Sequence, residues 1–71
     1  MNNSYYQTEE EVQREIAISK NVKELFLHRH YLQGLKLCEE VLSIPNLYFK
    51  TRIIFQNQKT TALINLNRNE E

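Results

Sequence analysis

Residues 31–46 read Tyr-Leu-Gln-Gly-Leu-Lys-Leu-Cys-Glu-Glu-Val-Leu-Ser-Ile-Pro-Asn, and their spacing decides the fold class. Leu35, Cys38 and Leu42 recur at three- and four-residue intervals, with Gly34, Leu37 and Val41 beside them. That is the period of an amphipathic helix, expected over about residues 32–43. Its apolar face is wide enough to want two neighbours. Gly34 costs about 1 kcal/mol relative to Ala inside a helix, a cost that makes sense where another backbone packs close. Pro45 disfavours helical geometry at Ile44 and closes the segment. Asn46 then suits the cap of the next helix.

Upstream, residues 1–7 read as a loose polar tail. Thr8 with Glu11 makes a capping box, and Glu9 and Glu10 favour the positive start of a helix. Val12 and Ile16 continue the apolar stripe. It weakens at Ser19-Lys20-Asn21, where Asn21 with Glu24 offers a second cap, so a break or one continuous helix are both open. It resumes through Val22, Leu25 and Phe26 and ends near His30. Downstream, a third helix is expected from Leu47, with Leu47, Phe49, Ile53, Ile54 and Phe55 as apolar bulk. Gln56 to Thr61 is polar all round, then Ala62, Leu63 and Leu66 resume. The helix is expected to end near Leu66, in a turn at Asn67-Arg68-Asn69. The fold class is therefore all-α, a three-helix antiparallel helix-turn-helix array, with residues 8–71 as one small domain. Its expected core is Val22, Leu25, Phe26, Tyr31, Gly34, Leu35, Cys38, Val41 and Leu42.

Composition narrows the function classes. A chain of 71 residues buries only about 60% of its unfolded surface, so its stability leans on close helix packing, a partner or self-association. One Cys rules out an intramolecular disulfide and fits a reducing compartment. Nine basic and nine acidic residues leave no net charge, unlike a dedicated nucleic-acid binder. No apolar run reaches the roughly 18 residues of a membrane span. The N-terminus is polar and acidic rather than a secretory or transit signal, so the cytoplasm is expected, with the nucleus open.

The reactive side chains do not assemble. His28 and His30 are two apart, not the four a helical metal pair would use. Cys38 sits on the apolar face as a small core hydrophobe. Glu39 and Glu40 read as a solvated face, with Lys36 placed to pair with Glu40. No phosphate loop, catalytic triad order or paired Cys motif is present. An enzyme, a cofactor and a metal are not expected.

Tyr31, Gly34, Cys38, Val41 and Pro45 follow the order of sizes found in the second helix of a tetratricopeptide repeat. Ile18, Val22 and Leu25 fall where that family's first helix carries packing residues, though the family favours Gly or Ala at the place of Val22. Ala62 to Glu71 is similar to the helix end and turn before a further second helix. Residues 18–71 thus resemble about one and a half repeats, an incomplete solenoid. The resemblance implies a stack of helix pairs that binds peptides or proteins. Such stacks bury their faces only against neighbours, and about three repeats are usual. It points to Arg29, Lys50 and Asn57 as groups for a bound peptide.

A second pattern competes. Ile54-Phe55-Gln56-Asn57 resembles the Trp-Phe-x-Asn core of a homeodomain recognition helix, with Phe26 and Tyr31 at matching distances. That resemblance implies DNA binding, with Asn57 on an adenine. Against it, Ile54 replaces the Trp, Gln58 stands where Arg is expected, and the N-terminal arm is acidic.

The expectation is a scaffold module that binds a protein or peptide through an apolar helical face, with self-association as a further reading. The expected partner-binding residues are Arg29, Tyr48, Lys50, Ile53, Ile54, Asn57 and Leu63. Of the aromatic doublet Tyr48-Phe49, one ring is expected to pack inside and one to face a partner.

Overall fold

The computed structural model describes the backbone of residues 6–70 and the side chains of residues 6–67. Three helices follow in order: α1 (Glu9–Leu27), α2 (Tyr31–Leu42) and α3 (Phe49–Glu70). All three pairs pack against one another.

The capping box starts α1 as its sequence dictates. Thr8 Oγ1 accepts from the Glu11 N–H at 3.1 Å, and the Thr8 N–H donates to Glu11 Oε1 at 2.8 Å. Glu9, Glu10 and Glu11 fill the first turn, at the positive end of the helix dipole. The helix runs unbroken through Ser19-Lys20-Asn21. Ser19 is buried there, so packing against α3 overrides the local cap at Asn21.

The end of α1 is a Schellman turn. The Arg29 N–H donates to the Phe26 carbonyl at 3.0 Å, and the His30 N–H to the Leu25 carbonyl at 2.8 Å. This geometry puts Arg29 at φ 65°, the left-handed region that Gly enters freely. Arg29→Gly removes about 1–2 kcal/mol of local backbone cost but loosens the unfolded chain by about 0.5–1 kcal/mol. A rise of a few degrees in the thermal midpoint is the expected outcome.

α2 begins at Tyr31 and stops before Ser43, whose Oγ donates back to the Glu40 carbonyl at 2.7 Å. Pro45 follows, and the chain crosses to α3 through Leu47 and Tyr48. α3 begins at Phe49, two residues later than the sequence suggests, and Asn46 lies too far upstream to be its N-cap residue. At the other end the expected turn at 67–69 is helix through Glu70. After Pro45 the chain has no Gly or Pro to stop it. Asn is only a weak helix former, but it does not break a helix as Gly or Pro does, and Leu66 just before this stretch is half-buried.

Two long-range hydrogen bonds fix the direction of α3. The Tyr48 N–H donates to Gln7 Oε1 at 2.9 Å, and Gln58 Nε2 donates to the Ser19 carbonyl at 3.0 Å. Both chains advance together between these contacts, so α3 runs parallel to α1, with α2 antiparallel to both.

The core is Val22, Cys38, Val41, Leu47 and Phe55, with Leu35 and Ala62 also buried. Ile18, Phe26, Leu37, Leu42 and Ile44 pack around it. Of the expected core, Val22, Gly34, Leu35, Cys38 and Val41 are buried, while Leu25, Phe26, Tyr31 and Leu42 are half-buried. Every buried residue of α2 is apolar or Gly. The buried polar residues, Glu15, Ser19, Thr51 and Gln58, all belong to α1 and α3. Glu15 Oε2 accepts from Gln7 Nε2 at 2.7 Å. Glu15 Oε1 and Gln58 Oε1 are buried without a hydrogen-bond donor from the protein. Such atoms weaken a contact, so the α1–α3 seam is the less stable side of the bundle. Gln7, assigned to a loose tail by the sequence, is thereby pinned to both α1 and the chain ahead of α3.

Candidate functional site

Each turn of a helix advances about 100° per residue, and this sorts the side chains of α3. Thr51, Phe55, Gln58 and Ala62 are buried and mark the inward face. Gln58 leans toward α1 and Lys59 toward α2, where it reaches Glu39 at 3.9 Å. Phe49, Ile53, Gln56, Thr60, Leu63, Ile64 and Asn67 fall on the opposite side, and all are exposed. Phe49 is 61% exposed and Ile53 53%. α3 therefore carries apolar side chains on both its inward and its outward side. A surface helix ordinarily carries one apolar stripe and one charged face. Here the outward stripe contains no charged residue from Phe49 to Asn67.

The stripe has an internal order. Phe49 and Ile53 supply its first third and Leu63 and Ile64 its last, with Gln56, Asn57 and Thr60 between. The Thr60 hydroxyl donates to the Gln56 carbonyl at 3.0 Å, so the middle is partly satisfied within the helix. Along one flank runs an open groove of about 610 Å³, between Leu42 of α2 and Arg52, Gln56, Lys59, Thr60 and Leu63 of α3. At the start of α3 a second hollow, of about 440 Å³, lies among Tyr6, Gln7, Asn46, Leu47, Tyr48 and Phe49.

Of the expected partner-binding residues, Ile53, Leu63 and Asn57 share the outward side of α3 or its margin. Ile54 sits about 100° round from Ile53, on the α1 side, and is 38% exposed. Tyr48 and Lys50 are exposed at the start of α3. Arg29 stands apart: it lies in the turn before α2, and Tyr48 and Lys50 follow α2, so the twelve residues of that helix separate them. At 1.5 Å per residue the gap is about 18 Å, too far for one short peptide residue to touch both. Tyr48 and Phe49 do not divide between core and surface as expected. Both are exposed, and their rings meet edge to face with centroids 5.2 Å apart. Phe49 and Ile64 belong to the stripe and were missed. The helical phase of α3 would have found them, but its apolar residues occur all round and leave that phase ambiguous in the sequence.

The reactive groups stay dispersed. His28 and His30 lie in the α1–α2 turn, exposed, with ring centroids 6.4 Å apart. Among the described residues no cluster of three His, Cys, Asp or Glu could hold a metal ion. Cys38 is fully buried, and burial, with Glu39 adding to it, pushes its thiol up to about 11. At neutral pH it is a protonated core side chain and a poor nucleophile. Lys36 does not pair with Glu40. Among the described residues the ion pair on this surface is Lys59 with Glu39, at half-exposed ends and of small energetic weight. No described helix is long and apolar enough to cross a membrane. No family model, curated protein or solved structure matches the chain.

Proposed function

We propose that this chain is a protein-interaction module that binds a helical segment through the outward face of α3. One observation carries the reading: α3 presents large apolar side chains on two opposite sides, Phe55 inward and Phe49, Ile53, Leu63 and Ile64 outward, and the bundle covers only the inward one. Ile53 and Leu63 anchor the contact and Gln56, Asn57 and Thr60 set its register. The face is free of charge, as the buried cores of interfaces tend to be. The parallel run of α1 and α3 with α2 between them suits a stack of helix pairs. The resemblance of residues 18–71 to tetratricopeptide units enters the proposal on that ground.

The DNA-binding alternative gains little. Gln58 is spent on the Ser19 carbonyl, Lys59 is drawn toward Glu39, and the chain has no net positive charge to hold a phosphate backbone.

The test is an affinity capture with the immobilised chain and two variants. Ile53→Asp puts a charge in the apolar first third of the face, and Lys23→Asp changes an exposed position on α1. Protein retained by the wild type and by Lys23→Asp is expected to be lost from Ile53→Asp, with the circular dichroism of all three alike. Equal retention by Ile53→Asp sinks the reading.

A further inference from the structure

We infer that the segment docked on α3 is α3 of a second copy of this chain, packed antiparallel about a two-fold axis near Asn57. The inference rests on the interaction face proposed above and names its occupant.

The stripe is self-complementary when one copy is reversed. An isologous contact requires that residue i meet residue j and j meet i. With the axis near Asn57, Ile64 of one copy enters the gap between Phe49 and Ile53 of the other. Thr60 enters the gap between Ile53 and Gln56. The same contacts then repeat on the other side of the axis. Apolar residues meet apolar residues at both ends, and amides and hydroxyls meet at the middle. The pattern follows from order alone: two apolar residues, a polar centre, two apolar residues.

Charge selects the same orientation. The first turn of α3 holds no acidic residue and instead carries Lys50 and Arg52. Cations at the positive end of their own helix are disfavoured. An antiparallel copy brings the negative end of its α3 dipole alongside them, and a parallel copy brings a second positive end. The stripe itself has no charge, so its centre meets its equivalent without repulsion.

Size sets the strength. α3 has 22 residues and is about 33 Å long. One helix face of that length, with the aromatic end around Tyr48 and Phe49, offers less than the roughly 800 Å² per partner of a standard interface. The dimer is therefore expected to be weak, with a dissociation constant in the micromolar range.

Sedimentation equilibrium of the full chain over about 2 to 200 µM brackets such a constant. The expected mass climbs from 8.6 kDa toward twice that value. Ile53→Asp is expected to remain at the monomer mass throughout, with unchanged helicity. Orientation is read by disulfide capture. An equimolar mixture of Ile53→Cys and Ile64→Cys is expected to give mainly the mixed dimer, with little of either variant linked to itself. Buried Cys38 stays out of this exchange.

A wild-type chain that is monomeric at 200 µM overturns the inference, as does preferential self-linking of Ile53→Cys, the mark of a parallel pair. A monomer whose captured partner is still lost on Ile53→Asp overturns the second copy and leaves the interaction face standing. Indifference to Ile53→Asp in both experiments removes both.

Discussion

Phe55→Ala is expected to leave the chain largely unfolded at 37 °C. Phe55 is the largest fully buried side chain and the only core aromatic among the described residues. It projects from α3 into the cluster with Val22 of α1, Cys38 and Val41 of α2, and Leu47 of the connection between α2 and α3. Truncating a buried Phe costs about 3–5 kcal/mol, the lost transfer energy plus that of the cavity. Natural domains hold roughly 0.05–0.15 kcal/mol per residue, which for this length is about 4–11 kcal/mol. The substitution thus removes between about a quarter and all of the stability. Thermal unfolding followed by circular dichroism is the measurement. A loss below about 1 kcal/mol, on the scale of ordinary surface changes, contradicts the central position given to Phe55.

Gly34→Ala is the second large effect, and its sign opposes helix propensity. In an open helix the change gains about 1 kcal/mol. At Gly34 the added Cβ lands on Cε1 of Phe26, with Cδ1 at 3.0 Å and Cζ at 3.2 Å. The ring cannot withdraw freely, because Tyr31 lies against it with centroids 5.5 Å apart. Either the ring swings out and gives up that contact, or α1 and α2 separate. Overpacking of this kind costs about 1–3 kcal/mol, so a net destabilisation is expected from denaturant midpoints. Phe26→Leu in the same background empties the space and is expected to return part of the loss. A gain in stability from Gly34→Ala alone shows that the two helices are not held together at this point.

Gly34 also shows how much of the fold the sequence discloses. Its cost inside a helix signals a close neighbour; the neighbour is a ring of α1 rather than a backbone. Helix number, the Thr8 cap and the inward side of α2 follow from local rules, because capping and a one-sided stripe are written in consecutive residues. The continuity of α1 and the reach of α3 do not. They depend on Ser19 and Leu66 being packed, which is decided by residues far along the chain. The candidate surface is only half legible for a related reason. Ile53 and Leu63 stand out by composition, but with apolar residues all round α3, only the burial of Phe55 and Ala62 shows which side remains outside.

The amide of Gln7 holds two stretches of chain at once, one partner eight positions away and the other forty-one. Closing a span of that longer length costs about 3 kcal/mol of chain entropy before any contact is returned. The α1–α2 turn, by comparison, closes across three residues. Folding is then ordered by topology: the first two helices can pair early, and the Gln7 link forms only after α2 has carried the chain back beside α1. The amide proton of Tyr48 is hydrogen-bonded by that link only in molecules that have completed the whole circuit. It marks the last step of assembly, where helix content alone marks the first.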